Sequence, residues 1–348
     1  MSFIPFDQLS NPVLSFEDYS AKDACVIFRD GEFHLFTSIF DQQISRVAHV
    51  SSPDWIHWSE IHTIFSGEPV GAVGLCSPAV WEAADGRVLL AFNTWGQPRK
   101  TPNQPYYVET RDMKNWSAMK PIAHELTEGS RCIDVALAEH GDKWFAIWKE
   151  RGMARIAWAD DLDGPWEFVC NGPVKMLRRE GFDVAELGKT HENCQFLMID
   201  GVWHLLSTDY DPHDAWLYRL DGDPDKPGAW AEWTDGFWLE MKAEEFNSLP
   251  ADHPDIQAGK IDRALYPVPG LPGRLAMVDG LSNAPFLCDW REQDGHFYLL
   301  YAGKNHERAN EFRGTGDATV TGKGWPRGWN RLALARSKDL LNWEVPGR

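Results

Sequence analysis

Several features that would place a protein in a membrane or outside the cell are missing from this 348-residue sequence. No run of 18 apolar residues occurs, so no transmembrane helix is expected. The N-terminus, MSFIPFDQLSNPVLSF, lacks the basic start and apolar stretch of a secretory signal peptide. The six cysteines include no CxxC pair and do not form a disulfide framework for a chain this long. We therefore expect reduced thiols and a cytoplasmic protein that has no membrane partner.

Basic residues are also scarce. The sequence has 34 Lys and Arg against 52 Asp and Glu, which gives a net charge of −18. A surface this acidic repels phosphates and disfavours a nucleic-acid partner. Aromatic residues are abundant by contrast, at 13% with 18 Trp, so the chain can bury a full core and disorder is not expected.

One sequence unit occurs five times. It begins with a small or acidic residue and continues as an apolar strand, a turn with Gly or Asp, and an aromatic-rich strand. At spacings of 54, 57, 58 and 91 residues, the units begin at Asp23, Ser77, Asp134, Glu192 and Asn283. The second half of each unit ends in a tryptophan: Trp58, Trp116, Trp166, Trp233 and Trp343. Dipeptides such as Asp30-Gly31 and Asp200-Gly201 between the first two strands are good hairpin formers.

This repeat predicts an all-β fold, a five-bladed β-propeller with four-stranded antiparallel blades that spans residues 1–348 as a single domain. A β-sandwich is the alternative, but it has no reason to repeat one unit five times. Two insertions interrupt the pattern, at 234–281 and 305–330. In the first, we expect one or two helical turns in the segment from about 240 to 270, which includes LEMKAEEFNSL. The second is long enough to suggest contact with a ligand, and it carries Arg308, Arg313, Trp325 and Trp329.

The starts of the five first strands are expected to ring the central axis. Three of these five positions are carboxylates: Asp23, Asp134 and Glu192. A buried carboxylate needs a partner or a role, although small polar residues also start strands simply as caps. Cleavage of a glycosidic bond uses such a set, because one acid protonates the leaving oxygen while an ionised carboxylate activates water or attacks carbon. A third carboxylate nearby raises the pKa of the acid.

With these positions and the ending Ser337 to Trp343, of the form S-K-D-L-x-x-W, the sequence resembles glycoside hydrolase family 43 and its relatives over the range from Asp23 to Trp343. The resemblance implies that Asp23 is the general base, that Asp134 tunes the acid and holds substrate, and that Glu192 is the general acid. The sequence departs from the family in two places. Proline does not follow Asp23 or Asp134, and Glu192 is followed by Asn-Cys instead of Gly-Pro.

Five further residues are candidates for substrate binding. Ser77 and Asn283 complete the ring, Trp95 ends a strand and could stack on a sugar, His191 precedes Glu192, and Arg331 follows the second insertion. Each has a plainer explanation in strand turns or blade packing. Lys149 and Asp209, near the ends of second strands, are weaker candidates. No cofactor is required, and the resemblance allows a structural calcium ion in the channel, with His306 as a candidate ligand. A zinc site built from the cysteines is a weaker idea than their burial in crowded strands.

The resulting prediction is an exo-acting, inverting glycoside hydrolase that acts on arabinofuranosyl, xylosyl or related sugars of small oligosaccharides. One alternative is a retaining, fructosidase-like enzyme in which Asp23 is the nucleophile. Another is a propeller that binds glycans without cleaving them. Neither the oligomeric state nor the sugar follows from the sequence.

Overall fold

Sheets dominate the computed structural model of this chain. It describes residues 3–16, 19–40, 44–95, 102–172, 191–208, 215–234, 236–239, 248–258, 265–267, 273–277, 283–304 and 330–346. Within these ranges the strands form five four-stranded antiparallel sheets, here called blades 1 to 5, and one three-stranded sheet. The predicted all-β fold, a five-bladed β-propeller, is confirmed.

The strands of each blade follow one another along the chain. Blade 1 contains β1 (Ser20–Arg29), β2 (Glu32–Phe40), β3 (Ser45–Ser52) and β4 (Thr63–Phe65). Blade 2 contains β5 (Gly74–Glu82), β6 (Val88–Trp95), β7 (Pro105–Thr110) and β8 (Lys120–Pro121). Blade 3 contains β9 (Cys132–His140), β10 (Lys143–Glu150), β11 (Met153–Ala159) and β12 (Glu167–Asn171). Blade 4 contains β13 (Glu192–Ile199), β14 (Val202–Thr208), β15 (Ala215–Arg219) and β16 (Phe237–Leu239).

The range predicted as the first insertion, 234–281, begins with β16 of blade 4, so this blade extends beyond Trp233, and the later part contains a small sheet of its own. That sheet contains β17 (Ser248–Pro250), β18 (Leu265–Pro267) and β19 (Arg274–Met277), with β19 in the centre. Blade 5 contains β20 (Asn283–Trp290), β21 (His296–Lys304), β22 (Asn330–Ser337) and β23 (Trp343–Glu344). Helices are short within the described ranges: His124–Thr127, Pro254–Gln257 and Arg291–Asp294 are α-helical, and Phe6–Gln8, Glu68–Val70 and Pro227–Ala231 are 3-10 turns.

For most of the LEMKAEEFNSL stretch, the expected helical turn stays a prediction. Leu239 ends β16, Ser248 begins β17, and residues 240–247 lie outside the described residues. One helical turn lies within the predicted segment of about 240–270, at Pro254–Gln257. The second insertion, with Arg308, Arg313, Trp325 and Trp329, lies outside the described residues except for Asn330.

The chain divides into two compact units. One unit, Met1–Ser66 with Glu240–Arg348, holds blades 1 and 5 and the small sheet, and the other, Gly67–Leu239, holds blades 2, 3 and 4. In the first unit, residues from both blades share an apolar core that includes Phe33, Trp55 and Leu334. The predicted single domain stays a prediction.

The N-terminal segment completes the edge of blade 5 within the first unit. Leu14 and Leu332 form an antiparallel bridge. The buried Asn11 side chain extends this pairing, since its amide nitrogen donates to the Leu334 carbonyl at 3.0 Å and its oxygen accepts the Leu334 N–H at 2.9 Å. The Asn11 side-chain amide thus makes the two hydrogen bonds to β22 that a backbone peptide of a neighbouring strand would make.

The same backbone distortion occurs near the start of all five first strands. One residue there has a positive φ of 47–56°, and the strand pairing slips around it as in a β-bulge. The five residues with this conformation, here called the bulge residues, are Asp23, Ser77, Asp134, Asn193 and Ala284. Such backbone is uncommon outside glycine, and clusters of it occur at functional sites.

The Asp in the S-K-D-L-x-x-W ending has a structural role. Asp339 accepts the N–H groups of Leu341 and Asn342 at 2.9 and 2.8 Å. Asp112 in blade 2 accepts equivalent bonds from Lys114 and Asn115, at 2.9 and 2.7 Å. In both blades this carboxylate therefore closes the turn after the third strand. The Asp of the S-K-D-L-x-x-W ending is thus explained by the geometry of the turn.

Candidate active site

Glu192 is buried against a lysine in the unit formed by blades 2 to 4. It begins β13, its side chain is 10% exposed, and one of its carboxylate oxygens contacts the Nζ atom of Lys149 near the end of β10. The backbone carbonyl of Glu192 accepts a hydrogen bond from the Thr208 hydroxyl at 2.9 Å. Because a buried carboxylate is costly without a partner, Lys149 offsets its charge and holds it in place.

Asp134 is held at its bulge by the neighbouring blade. Its strand, β9, lies beside both β5 and β13 in this unit. The Asp134 backbone N–H donates to the Asn93 side-chain oxygen at 2.9 Å, while the Asn93 amide nitrogen donates to the Thr94 carbonyl at 3.0 Å. Asn93 is fully buried and therefore fixes the backbone of Asp134, which is itself 7% exposed.

A buried thiol lies within the electrostatic reach of these groups. Burial raises the pKa of Cys194 to about 12, and the charges of Asp134 and Glu192 add to the shift while Lys149 opposes it. Cys194 is therefore a neutral packing residue at neutral pH and not a thiolate ligand or nucleophile. All six cysteines are free thiols, as expected from the sequence.

In the other unit, Asp23 has a similar environment. Its side chain is 3% exposed, and its two oxygens contact Lys22 Nζ and Ser38 Oγ, each at 3.1 Å. Lys22 and Ser38 are paired in the strand register directly before the bulge. An ammonium and a hydroxyl therefore both donate to the Asp23 carboxylate, and a carboxylate held in this way is placed to act as a general base or a nucleophile.

The five predicted ring positions are equivalent only to within one residue. Asp23, Ser77 and Asp134 are bulge residues, whereas Glu192 and Asn283 each lie one residue before the bulge, at Asn193 and Ala284. The longer Glu side chain therefore projects from the preceding backbone position. Asn283 pairs with Ala302 in the backbone, but its side chain lies outside the described residues.

The other predicted binding residues differ in their surroundings. Trp95 ends β6 and is half-buried, with the Arg131 guanidinium 5.3 Å from its ring centre. His191 is 2% exposed, and its Nδ1 atom hydrogen-bonds Ser207 Oγ at 2.9 Å. Ser77 Oγ donates to Cys76 Sγ at 3.6 Å. Arg331 pairs with Gly303 in the backbone, and its side chain lies outside the described residues.

Lys22 contacts the Asp23 carboxylate and Asn93 accepts the Asp134 N–H, and the predicted site residues include neither of them. Lys149, the partner of Glu192, is predicted only as a weaker candidate. Their positions follow from the strand register, since the residue paired with the position before each bulge is Ser38, Asn93, Lys149, Thr208 or Ala302. In blade 2 the residue at this position is Asn93, two residues before Trp95. It could not be found from the sequence alone, because the sequence does not show where the bulge at Ser77 shifts the register.

Neither a metal site nor a membrane span is found in the part of the chain that is described. No cluster of three or more His, Cys, Asp or Glu side chains there has an arrangement that could hold a metal ion. His306, the candidate calcium ligand, lies outside the described residues. No described helix combines the length and the apolar character needed to cross a bilayer.

Solved structures share this fold at low sequence identity. A glycosyl hydrolase from Bacteroides ovatus matches with a TM-score of 0.56 and 14% identity, over 86% of this chain and 91% of that one. A thermostable family-43 glycoside hydrolase matches with a TM-score of 0.54 and 11% identity, over 98% and 96% of the two chains.

A third match widens the range of chemistry associated with the fold. It belongs to the GH130 family of mannoside phosphorylases, which contains glycoside hydrolases that target β-1,2-mannosidic linkages in Candida mannan. Its TM-score is 0.58 and its identity 13%, over 100% of this chain and 97% of that one. Comparison with protein-family models and with curated protein sequences finds no match. The resemblance to glycoside hydrolase propellers is thus confirmed for the fold.

Proposed function

We propose that the protein is a glycoside hydrolase that removes terminal sugars, arabinofuranosyl, xylosyl or related, from small oligosaccharides with inversion. The observation that carries the proposal is the position of three buried carboxylates, Asp23, Asp134 and Glu192, at or directly before the positive-φ residue of a first strand. Two of them have a buried lysine as partner. The fold shared with glycoside hydrolase structures supports the same conclusion.

Glu192 acts as the general acid in this proposal. It must carry a proton when the glycosidic bond breaks, and proton donation by a positioned side chain contributes about 10²–10⁴-fold to rate. Protonation weakens the contact between Glu192 and Lys149. During acid catalysis the protonated carboxyl group therefore leaves the ammonium group and donates its hydrogen bond to the glycosidic oxygen of the substrate. Lys149 then holds the carboxylate that remains after proton transfer.

Asp23 acts as the general base. Its contacts with Lys22 and Ser38 hold the carboxylate in place, and in this role the carboxylate takes a proton from the attacking water. Asp134 positions the substrate and adds negative charge beside the acid. The proposed enzyme requires no cofactor, and a structural calcium ion remains compatible with it. We further propose a cytoplasmic location, which the six free cysteines support, and small imported oligosaccharides are the substrates that a cytoplasmic enzyme meets.

Hydrolysis of a panel of aryl glycosides tests the proposal. The panel contains the α-L-arabinofuranoside, β-D-xyloside, β-D-galactofuranoside and β-fructosides, and each is measured with wild type, Glu192→Gln and Asp23→Asn. We expect turnover of one substrate, with a loss of several orders of magnitude in both variants and no loss of folded structure. Glu150→Gln is the matched control, because Glu150 is also buried and ion-paired, to Arg155 at 2.8 Å, but does not lie at a bulge.

The alternatives appear as distinct outcomes of the same assay. NMR detection of the first-formed anomer separates inversion from the retaining mechanism, in which Asp23 is the nucleophile. Wild-type turnover in either carboxylate variant would contradict the assigned roles. Glycan binding without turnover of any substrate would favour a binding propeller.

A further inference from the structure

Arg131 and Trp95 form an exposed cation–π pair in the unit of blades 2 to 4. Trp95 is the last residue of β6, Arg131 directly precedes β9, and the guanidinium carbon lies 5.3 Å from the centre of the indole ring. Arg131 is exposed and Trp95 is half-buried. The pair therefore offers a cation that is already oriented on an aromatic surface.

Arg131 has no acidic partner within the described ranges, although the chain carries 18 more acidic than basic residues. Other described arginines do have one. Arg87, Arg155 and Arg219 contact carboxylates at distances between 2.5 and 2.8 Å. Among the described residues, no carboxylate therefore compensates the Arg131 guanidinium, and we take it as available to an anionic ligand.

Strand geometry places this pair next to the candidate active site. Arg131 precedes Asp134 by three residues, which is about 10 Å along an extended strand. Trp95 follows Asn93 by two residues, and Asn93 accepts the Asp134 N–H at 2.9 Å. The backbone after Arg131 is also fixed, since the Cys132 N–H donates to the Asn103 carbonyl at 2.9 Å. Arg131 and Trp95 therefore lie at the same strand ends as Asp134.

We infer that Arg131, supported by Trp95, recognises an anionic oxygen group on the substrate, and that this group is the carboxylate of a uronic acid. A guanidinium binds a carboxylate through two parallel hydrogen bonds, and an aromatic ring beside it packs against the sugar. The inference rests on the proposed function, because the uronic acid is a second sugar of the oligosaccharide from which the terminal sugar is removed. It places the acidic sugar beside Asp134.

Calorimetric titration of the protein with free sugars tests this inference without turnover, because these ligands contain no glycosidic bond. The ligands are D-glucuronate and D-galacturonate, with D-glucose and D-galactose as neutral counterparts and glucose 6-phosphate as a second anion. We expect each uronate to bind at least tenfold more tightly than its neutral counterpart. Arg131→Met removes this preference, and Arg131→Lys keeps part of it.

Arg151→Met is the matched control, since Arg151 is an exposed arginine directly after β10 and its side chain is 84% exposed. It should keep the full preference for uronates. Equal affinity for uronate and neutral sugar, absence of uronate binding, or an equal loss of both affinities in Arg131→Met would overturn the inference. Tighter, Arg131-dependent binding of glucose 6-phosphate would overturn the assignment of the group as a carboxylate.

The inference and the proposed function fail separately. Hydrolysis of neutral glycosides by a protein that shows no uronate preference overturns only the inference. Arg131-dependent uronate binding by a protein that hydrolyses no glycoside supports the inference and contradicts the proposed hydrolase.

Discussion

Blade 1 contains a buried histidine whose neutral form should make the fold sensitive to mild acid. His49 is 1% exposed, stacks on Phe36 with ring centres 4.6 Å apart, and hydrogen-bonds His34 at 3.1 Å between ring nitrogens. Burial, together with repulsion from His34 and His62, lowers the pKa of His49 from 6.5 to about 3. The folded chain therefore resists protonation where the unfolded chain accepts a proton.

The sign and size of the effect follow from this difference. Below pH 6.5 the His49 imidazole binds a proton in the unfolded state but not in the folded state. The contribution of His49 to the free energy of unfolding is therefore fully present above pH 6.5 and decreases as the pH falls toward 3. At about 1.4 kcal/mol per pH unit, His49 alone costs about 2 kcal/mol at pH 5. The neighbouring His34, whose pKa is also lowered chiefly by burial, adds to the loss.

Urea unfolding at pH 7.5 and pH 5 measures this cost. We expect His49→Phe to be less stable than wild type at pH 7.5, because His34 loses its partner, but to lose about 2 kcal/mol less on going to pH 5. His124→Gln, which removes a histidine with a 55% exposed side chain, is the control and should behave like wild type. An equal pH-dependent loss in wild type and His49→Phe would refute the reasoning.

Three further predictions concern the site and the repeated turn. Lys149→Met should lower the free energy of unfolding in urea by about 3–5 kcal/mol, because it removes the ammonium group that compensates the buried Glu192 carboxylate. Glu192→Gln in the same chain should restore part of that loss. Asn93→Ala should cost about 1–3 kcal/mol and lower kcat, because the Asp134 N–H loses its acceptor; unchanged kcat would contradict the positioning role. Although burial opposes it, hydrogen bonds from His57 and Ile56 lower the pKa of Asp54 to about 2, so Asp54→Ala should flatten the loss of stability between pH 4 and pH 2.

The repeat in the sequence was sufficient to predict the blades. Hairpin turns such as Asp30-Gly31 and Asp200-Gly201 are encoded locally, and both pairs have the positive φ values that such turns require. The alternation of apolar residues then sets the strands. The small sheet of β17 to β19 was not predicted, because its strands have only three or four residues and lack a clear period.

The sequence predicts the carboxylates, and it predicts Lys149 as a weaker candidate, but it does not predict which residues contact one another. Lys149 and Asn93 reach Glu192 and Asp134 from other strands or other blades, 43 and 41 residues away along the chain. Such contacts depend on the strand register, and the register depends on bulges. Two of the bulges do leave a trace, because Pro78 and Pro285 directly follow the bulge residues Ser77 and Ala284, where a backbone N–H is dispensable.

The central claim is that Glu192 donates a proton to the leaving group, and leaving-group dependence tests it most directly. For the sugar that wild type hydrolyses, kcat/KM of Glu192→Gln is compared between an alkyl glycoside and its 2,4-dinitrophenyl glycoside. The account predicts a loss of about 10²–10⁴-fold for the alkyl glycoside and a much smaller loss for the dinitrophenyl glycoside, whose leaving group needs no proton. Equal losses for both substrates would contradict the role of Glu192 as general acid.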